Sequence, residues 1–372
     1  VARIRESGSR TAARIFRAVW RSSPISRIEI AESLGLDKST VTNQINHLIE
    51  LGLIEEIEEG EASSRGGRRP IELSVKRSFG CIIGLEIQVE TYEAVVVDLS
   101  GEILAVKRGR IHINYDNLAD VTAEIVRKIE AGFKKGQRLL GVGIGIGGLV
   151  DSKKARLRYS VPLRIDKPLD FAKAMDGKIS VPWSIENDAN CCAWGELSFN
   201  KRDDQKNVLF ALVEYRHDES SLEMHGGIGV GLGIVLGGKV YTGGHGNAGE
   251  FRSAFCDGPG ELQFSLSKTE LARLDSDKKV LIRTTDELAR NLAMFVNTMD
   301  FDRVYVGGNI EGLDIDFPAM LRKRLQENWM YPWPKDVEIR YSSLKEKAVA
   351  YGAAGMVLER LVSERLLPGL SE

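Results

Sequence analysis

The sequence predicts an α/β protein that opens with a winged helix-turn-helix. Three observations predict it. A helix, glycine turn and second helix are encoded between Ser26 and Ile57. Two short strands follow, around a loop rich in arginine. Beyond Arg77, glycine-punctuated β-branched runs alternate with helical stretches. The chain has 372 residues, which at ~100–200 residues per domain suggests two or three domains. Hydrophobic residues make up 43% and charged residues 28%, enough apolar material to build cores and to exclude global disorder. Lys and Arg total 51 against 53 Asp and Glu, a net charge of −2, so any contact with nucleic acid must come from a local patch. No apolar run approaches the ~18–20 residues that span a bilayer, and the opening VARIRESGSR lacks the apolar centre of a signal peptide, so a cytoplasmic protein with no membrane partner is expected.

The first element expected is a bracing helix over Thr11 to Trp20, where Ala12, Ile15, Phe16 and Val19 fall near helical spacing. Ser26 and Glu29 then form a capping box: the hydroxyl accepts from a first-turn amide while the carboxylate reaches back to the cap amide. That helix runs through Ala31 and Leu34 and stops at Gly35, which can take the positive φ that ends a helix. Asp37 caps the next helix, on which Val41, Ile45, Leu48 and Ile49 form one apolar stripe. At about 100° per residue, Ser39, Asn43, Asn46 and His47 lie opposite the stripe, with Thr40, Thr42 and Gln44 on its flanks. With Lys38 at the helix start, this polar and largely uncharged face suits base edges in a major groove, since amides offer donor and acceptor together. A merely solvated face would usually carry more Lys and Glu.

Leu53 to Ile57 and Ile71 to Val75 read as the strands of a wing around EEGEASSRGGRRP. Five Glu lie in residues 55 to 61, whereas Arg65, Arg68 and Arg69 surround Gly66 and Gly67, so guanidiniums are carried on slender backbone that can follow phosphates or enter a minor groove. The bland alternative is a solvated linker. The DNA-binding unit thus covers residues 1–75, and a boundary is expected at 75–79.

In the second part, CIIGLEIQVETYEAVVVDLSGEILAVKRGRI reads as three antiparallel strands turning near Gln88 to Thr91 and at Ser100-Gly101. A helix from Leu118 to Phe133 follows, then LLGVGIGIGGLVD, then VPWSIENDANCCAWGE, where a strand ending near Ile185 delivers Asn187 and Asp188 to a helix. Polar residues at the carboxyl end of a strand sit where α/β proteins bind ligands. Without further context Asn187 and Asp188 equally read as a helix cap, and Glu250 as a surface acid. Cys81, Cys191, Cys192 and Cys256 have neither CxxC spacing nor that of a disulfide framework or zinc site, and read as reduced thiols acting as small hydrophobes.

Taken together, the wing RGGRRP, the loop GVGIGIGGLVD, ENDAN at 186–190, GIGVGLGIVLGGKVY, GNAGE at 246–250, VGGN at 306–309 and the closing YGAAGMVLERL resemble the ROK family of sugar kinases and transcriptional repressors, over nearly the whole chain. The resemblance implies a two-lobed actin-like, ribonuclease-H-like fold. It implies a first lobe over 79–190, completed by a C-terminal helix at about 345–372, and a second lobe over 191–344. It further implies a sugar site of Gly147, Gly148, Asn187, Asp188 and Glu250, in which Asp188 would be the general base of a kinase and Asn187 and Glu250 would bind hydroxyls. Such groups suit a polyol, because each hydroxyl must both donate and accept.

The chain departs from the kinase members at two places. Their opening DIGGT, which cradles ATP phosphate and metal, is replaced by Glu86-Ile87-Gln88-Val89-Glu90, and the GTG loop by Gly227-Ile228-Gly229. Side chains then stand where backbone must approach phosphate, and Glu90 adds negative charge there. Phosphoryl transfer rests on positioning and neutralising the triphosphate, so no catalysis is expected. The family's zinc histidine aligns with Ser253, and its CxCGxxGCxE knuckle becomes CDGPGELQ, which keeps only Cys256, so no metal and no cofactor are expected. The resulting expectation is a DNA-binding transcriptional repressor of sugar metabolism that binds a palindromic operator in double-stranded DNA. It would be controlled by a small-molecule sugar effector and act as a homodimer or homotetramer. The alternative is an ATP-dependent sugar kinase fused to a DNA-binding domain.

Overall fold

The computed structural model describes residues 2–59, 71–199, 206–216, 227–260, 262–363 and 367. Arg65, Arg68 and Arg69 lie outside the described residues.

Helix α1 (Ala2–Ser22) is longer than its apolar spacing indicated, because a nucleated helix extends at little cost per added residue. Its Ala12, Ile15, Phe16, Val19 and Trp20 are buried. Strand β1 (Ile25–Ser26) leads into α2 (Arg27–Leu34), where both halves of the Ser26–Glu29 capping box form and Gly35 ends the helix at φ 63°. Asp37 caps α3 (Lys38–Glu50), which buries Val41, Ile45 and Leu48. Strands β2 (Ile54–Glu59) and β3 (Ile71–Val75) pair antiparallel, and β1 joins the other edge of β3 to give the order β1-β3-β2. This two-residue strand is too short for any period-2 pattern to reveal it.

Two five-stranded sheets follow, built on one plan. In the first, β4 (Cys81–Ile87) has antiparallel β5 (Thr91–Asp98) and β6 (Ile103–Arg110) on one side and parallel β7 (Leu139–Ile146) and β11 (Trp183–Asn187) on the other. The expected turns fall in place: the Gln88 amide donates to the Thr91 carbonyl at 2.9 Å, and the Gly101 amide to the Asp98 carbonyl at 3.0 Å. In the second sheet, β12 (Val208–Tyr215) has antiparallel β13 (Ile228–Leu236) and β14 (Lys239–Val240) on one side and parallel β15 (Arg303–Gly308) and β16 (Glu338–Tyr341) on the other. A small sheet of β8 (Leu149–Asp151), β9 (Arg156–Tyr159) and β10 (Leu169–Asp170) caps the first.

Helices α4 (Leu118–Glu130), α5 (Phe171–Met175), α6 (Asp188–Phe199), α7 (Lys268–Leu271), α8 (Lys278–Met299), α9 (Phe317–Glu327) and α10 (Ala348–Ser363) complete the described α-helices. Helix α6 spans residues 190 and 191, and the core it shares with β12, β15 and α10 includes Ala189, Cys191, Cys192, Phe210, Tyr305 and Ala353. Gly84 of β4 and the alternating glycines of β7 are explained by α10: a Cβ on Gly84 would lie 1.9 Å from the Ala350 carbonyl oxygen, and one on Gly143 2.0 Å from that of Ala353. These glycines therefore serve helix packing, not a ligand. Cys81, Cys191 and Cys192 are buried and Cys256 is partly exposed, all as free thiols. No helix among the described residues is long and apolar enough to cross a membrane.

Candidate functional site

A cleft of about 450 Å³ brings Gly147, Gly148, Asn187, Asp188 and Glu250 together. Strand β11 ends at Asn187 and α6 begins at Asp188, so both side chains stand at the carboxyl edge of a parallel pair. Asn187 is committed in part to local structure: its Oδ1 accepts from the Asn190 amide at 3.1 Å and its Nδ2 donates to the Gly148 carbonyl at 3.0 Å. It thus caps α6 and pins the loop of the opposite wall. A Cβ on Gly147 would lie 2.9 Å from Asp188 Oδ2, so only glycine leaves that carboxylate accessible. Burial, and then the neighbouring charges of Glu214 and Glu250, push the Asp188 carboxyl up to about 7, despite a hydrogen bond from the Ala189 amide at 2.8 Å and the nearby Arg216. Glu250 projects from the segment paired with Gly231. Desolvation raises its carboxyl and the Arg158 guanidinium draws it back. Tyr159, Pro162, Phe251 and Leu262 supply apolar walls. Carboxylates, an amide and apolar faces in one concavity are the groups that a polyhydroxylated ring requires.

Three contributors went unnoticed in the sequence. Arg158 on β9 donates to the His245 carbonyl at 3.0 Å and to the Asn247 side chain, tying the small sheet to the loop that carries Glu250. Glu214 and Arg216 form an ion pair at the end of β12. The apolar run VLFALV followed by charge at 214 and 216 is the same strand-end signal that marked Asn187 and Asp188.

Glu214 and Arg216 also line a second cleft of about 880 Å³ with Glu86, Gln88, Glu93, Arg108 and Asn309. Its polar groups are largely occupied by one another. Gln88 Nε2 donates to Glu86 at 2.6 Å, the Thr91 hydroxyl donates to Gln88 at 3.2 Å, and Arg108 bridges Glu93 and Glu346. Burial, together with repulsion from Glu214, pushes the Glu86 carboxyl up to about 8. Val89 and Glu90 are not among the residues lining this cleft, whose acids are Glu86, Glu93, Glu214, Glu311 and Glu346. The two-residue alternation of the strand carries the side chain of Glu86 to the cleft, and the turn carries Glu90 past it.

The outward face of α3 exposes Lys38, Ser39, Thr42, Asn43, Asn46 and His47, with Thr40 and Gln44 half-buried at its flanks. The hydroxyl protons are spent locally. Ser39 and Thr40 each donate to the Asp37 carboxylate at 2.6 Å, and Thr42 donates to the Lys38 carbonyl at 2.8 Å. These hydroxyls are therefore left as acceptors on the exposed face, while Asn43 and Asn46 bring amides and Lys38 a cation.

The residues where the resemblance implied zinc do not fit a metal. Ser253 is buried and its hydroxyl accepts from Asn291 Nδ2 at 3.0 Å. Asn291 Oδ1 accepts from the Ala254 amide at 2.8 Å, and Glu287 accepts from the amide and hydroxyl of Ser265. The amide and carboxylate of α8 thus order this loop directly. Among the described residues no three His, Cys, Asp or Glu side chains converge on a metal position.

A ROK family model matches residues 82–252, and a helix-turn-helix domain model matches residues 8–57. The chain is 26% identical over 380 residues to the xylose repressor of Bacillus spizizenii, covering 94% of each chain. It is 27% identical over 399 residues to a putative xylose repressor of a Caldicellulosiruptor species, covering 94% of this chain and 95% of that one. It is 26% identical over 244 residues to the DNA-binding transcriptional dual regulator NagC of Escherichia coli, covering 64% of this chain and 55% of that one. The crystal structure of a ROK family transcriptional regulator, a homologue of the E. coli MLC protein, superposes with a TM-score of 0.76 at 21% identity, covering 98% of both chains. A ROK family glucokinase from Streptomyces griseus, in complex with glucose and AMPPNP, gives 0.56 at 23% identity over 74% of this chain and 99% of that one.

Proposed function

Because this chain carries a ROK family domain over residues 82–252 behind a helix-turn-helix domain over residues 8–57, we propose that it is a DNA-binding transcriptional repressor of sugar metabolism, controlled by a sugar or sugar derivative. The observation that carries the reading is the convergence of Asn187, Asp188 and Glu250 on one concave cleft, in a chain whose α3 presents an exposed polar face. The repressors that align over nearly all of both chains support it. In this reading residues 1–75 read DNA, and residues 79–190 with the closing helix at about 345–372 form one lobe. Residues 191–344 form the other lobe, and the sugar lies between the two.

Lys38, Asn43, Gln44 and His47, with Ser39, Thr40 and Thr42 as acceptors, contact base edges, while Arg65, Arg68 and Arg69 contact phosphates or the minor groove. A homodimer or homotetramer with two-fold symmetry places paired readers on a palindromic operator. The sugar binds one arrangement of the lobes better than another, and DNA affinity changes by the same coupling free energy.

The kinase reading draws on Asp188, whose position and raised carboxyl would suit a general base. Against it stands the second cleft, where Glu86, Glu214 and Gln88 occupy the place that the DIGGT resemblance would give to phosphate. We therefore assign no phosphoryl transfer. The deciding experiment selects bound fragments from the source genome with and without D-xylose, D-glucose or N-acetylglucosamine. An enriched palindrome released by one sugar is the expected result. No enrichment under any condition, together with ATP-dependent turnover of a sugar that Asp188→Asn abolishes, would establish the kinase instead.

A further inference from the structure

The reader is not a separate body tethered by a linker. Phe16, Val19 and Trp20 of α1 share one apolar cluster with Ala354, Leu358, Leu361 and Val362 of α10. Burying such side chains contributes ~1.5–3 kcal/mol each, so this contact is a fixed joint. At its centre is Glu359 of α10, only 6% exposed, which accepts hydrogen bonds from Arg17 and from Arg21, the latter at 3.5 Å. Removing both guanidiniums would leave a buried carboxylate without a counter-charge, so these contacts specify the pose of α1 more strictly than apolar packing does.

The other face of α10 meets α6 at a distance that only glycine permits. A Cβ on Gly352 would lie 1.7 Å from the Cys191 carbonyl oxygen, and one on Gly355 2.9 Å from Ser198 Cβ. Two helices in backbone contact cannot slide without a clash, and so they move as one piece. Helix α6 begins at Asp188, in the cleft. Arg360, the neighbour of Glu359, donates to Ser184 Oγ at 2.7 Å and to the Trp183 carbonyl at 3.3 Å, on the strand that delivers Asn187. Adjacent residues of α10 thus grip the reader on one side and the cleft strand on the other.

We propose that α6 and α10 form the rigid link between cleft and reader, and that Glu359 is the joint through which a change at Asn187 and Asp188 reorients the helix-turn-helix. Its use in regulation rests on the sensor reading above. Its mechanics do not, and the test therefore uses neither sugar nor DNA. In the full-length chain, amide hydrogen exchange is followed by mass spectrometry in residues 11–22 and 183–199. Glu359→Gln raises exchange in residues 11–22 by about tenfold, as loss of a charge-assisted contact would, and leaves residues 183–199 unchanged. Gly352→Ala, which wedges the helices apart, raises exchange in both segments. Combining the two adds less in residues 11–22 than the sum of the single effects, because both act on one path.

Should Gly352→Ala fail to fold, Gly195→Ala provides the wedge, since its Cβ meets the movable end of Leu344 at 2.8 Å and the Gly352 Cα at 3.3 Å. Gly312→Ala, with no atom within 4 Å, is the silent control. Unchanged exchange in residues 11–22 for Glu359→Gln, or fully additive effects in the double variant, would overturn the proposal while leaving the sensor reading standing.

Discussion

The two clefts share Glu214 and Arg216, yet they differ in what they leave for a ligand. In the smaller one, glycines keep Asp188 uncovered and Glu250 projects from a tied loop. In the larger one, Gln88 binds Glu86, Thr91 binds Gln88, and Arg108 is divided between Glu93 and Glu346. The lesson is that volume does not make a site. A cleft receives a ligand when its polar groups keep unused bonding capacity, and the larger cleft has turned most of that capacity inward.

The largest effect that would break this contrast is at the shared cation. Arg216→Met removes the guanidinium facing Glu214, Glu86 and Asp188, and is expected to cost about 2–3 kcal/mol in urea unfolding, since the side chain is mostly but not wholly withdrawn from water. A loss under about 0.5 kcal/mol would mean that the acids are neutral without it.

Next comes the smaller cleft itself. A sugar at 100 times its dissociation constant stabilises the chain by ~2.7 kcal/mol, and Asp188→Asn should abolish that shift in thermal unfolding. Retention of the full shift would take Asp188 out of the contact set.

The third effect is on pH. Glu86 at about 8 and Asp188 at about 7 hold protons in the fold that they would release unfolded, so their contribution to stability is complete at the low end and falls as pH rises through those values. Glu86→Gln removes one titration, and the decline in melting temperature between about pH 4.5 and pH 8 should become shallower. An unaltered decline would show that Glu86 ionises freely.

The smallest effect expected is in the larger cleft. Magnesium with AMPPNP should leave the melting temperature unchanged in the wild type, and in Gln88→Gly the same nucleotide should add no more than ~0.5 kcal/mol of stability to that variant's own baseline. Clear stabilisation by the nucleotide would reverse the comparison and restore the kinase reading.

Much of the reader was legible because its signals are local. Ser26 with Glu29, Gly35, and Asp37 ahead of the Val41–Ile45–Leu48 stripe are patterns within a few residues, and each forms as read. That the hydroxyls of Ser39, Thr40 and Thr42 are left as acceptors was not legible, since nothing in their spacing revealed that Asp37 and the Lys38 carbonyl hold their protons. The glycine runs were also ambiguous. Gly147 opens onto Asp188, whereas Gly84 and Gly143 face the backbone of α10, more than 200 residues away in sequence.

The amino-acid order by itself determined the capped ends of α2 and the start of α3, the apolar stripes and the family-like motifs, because hydrogen-bonded caps and periodic burial act between near neighbours. Tertiary structure alone decided that Glu214 and Arg216 stand between two clefts, that Ser253 bonds to Asn291, and that Glu359 grips Arg17 and Arg21. Those contacts join segments whose separation along the chain carries no period, and only the packing of the sheets and of α6 against α10 brings them within bonding distance.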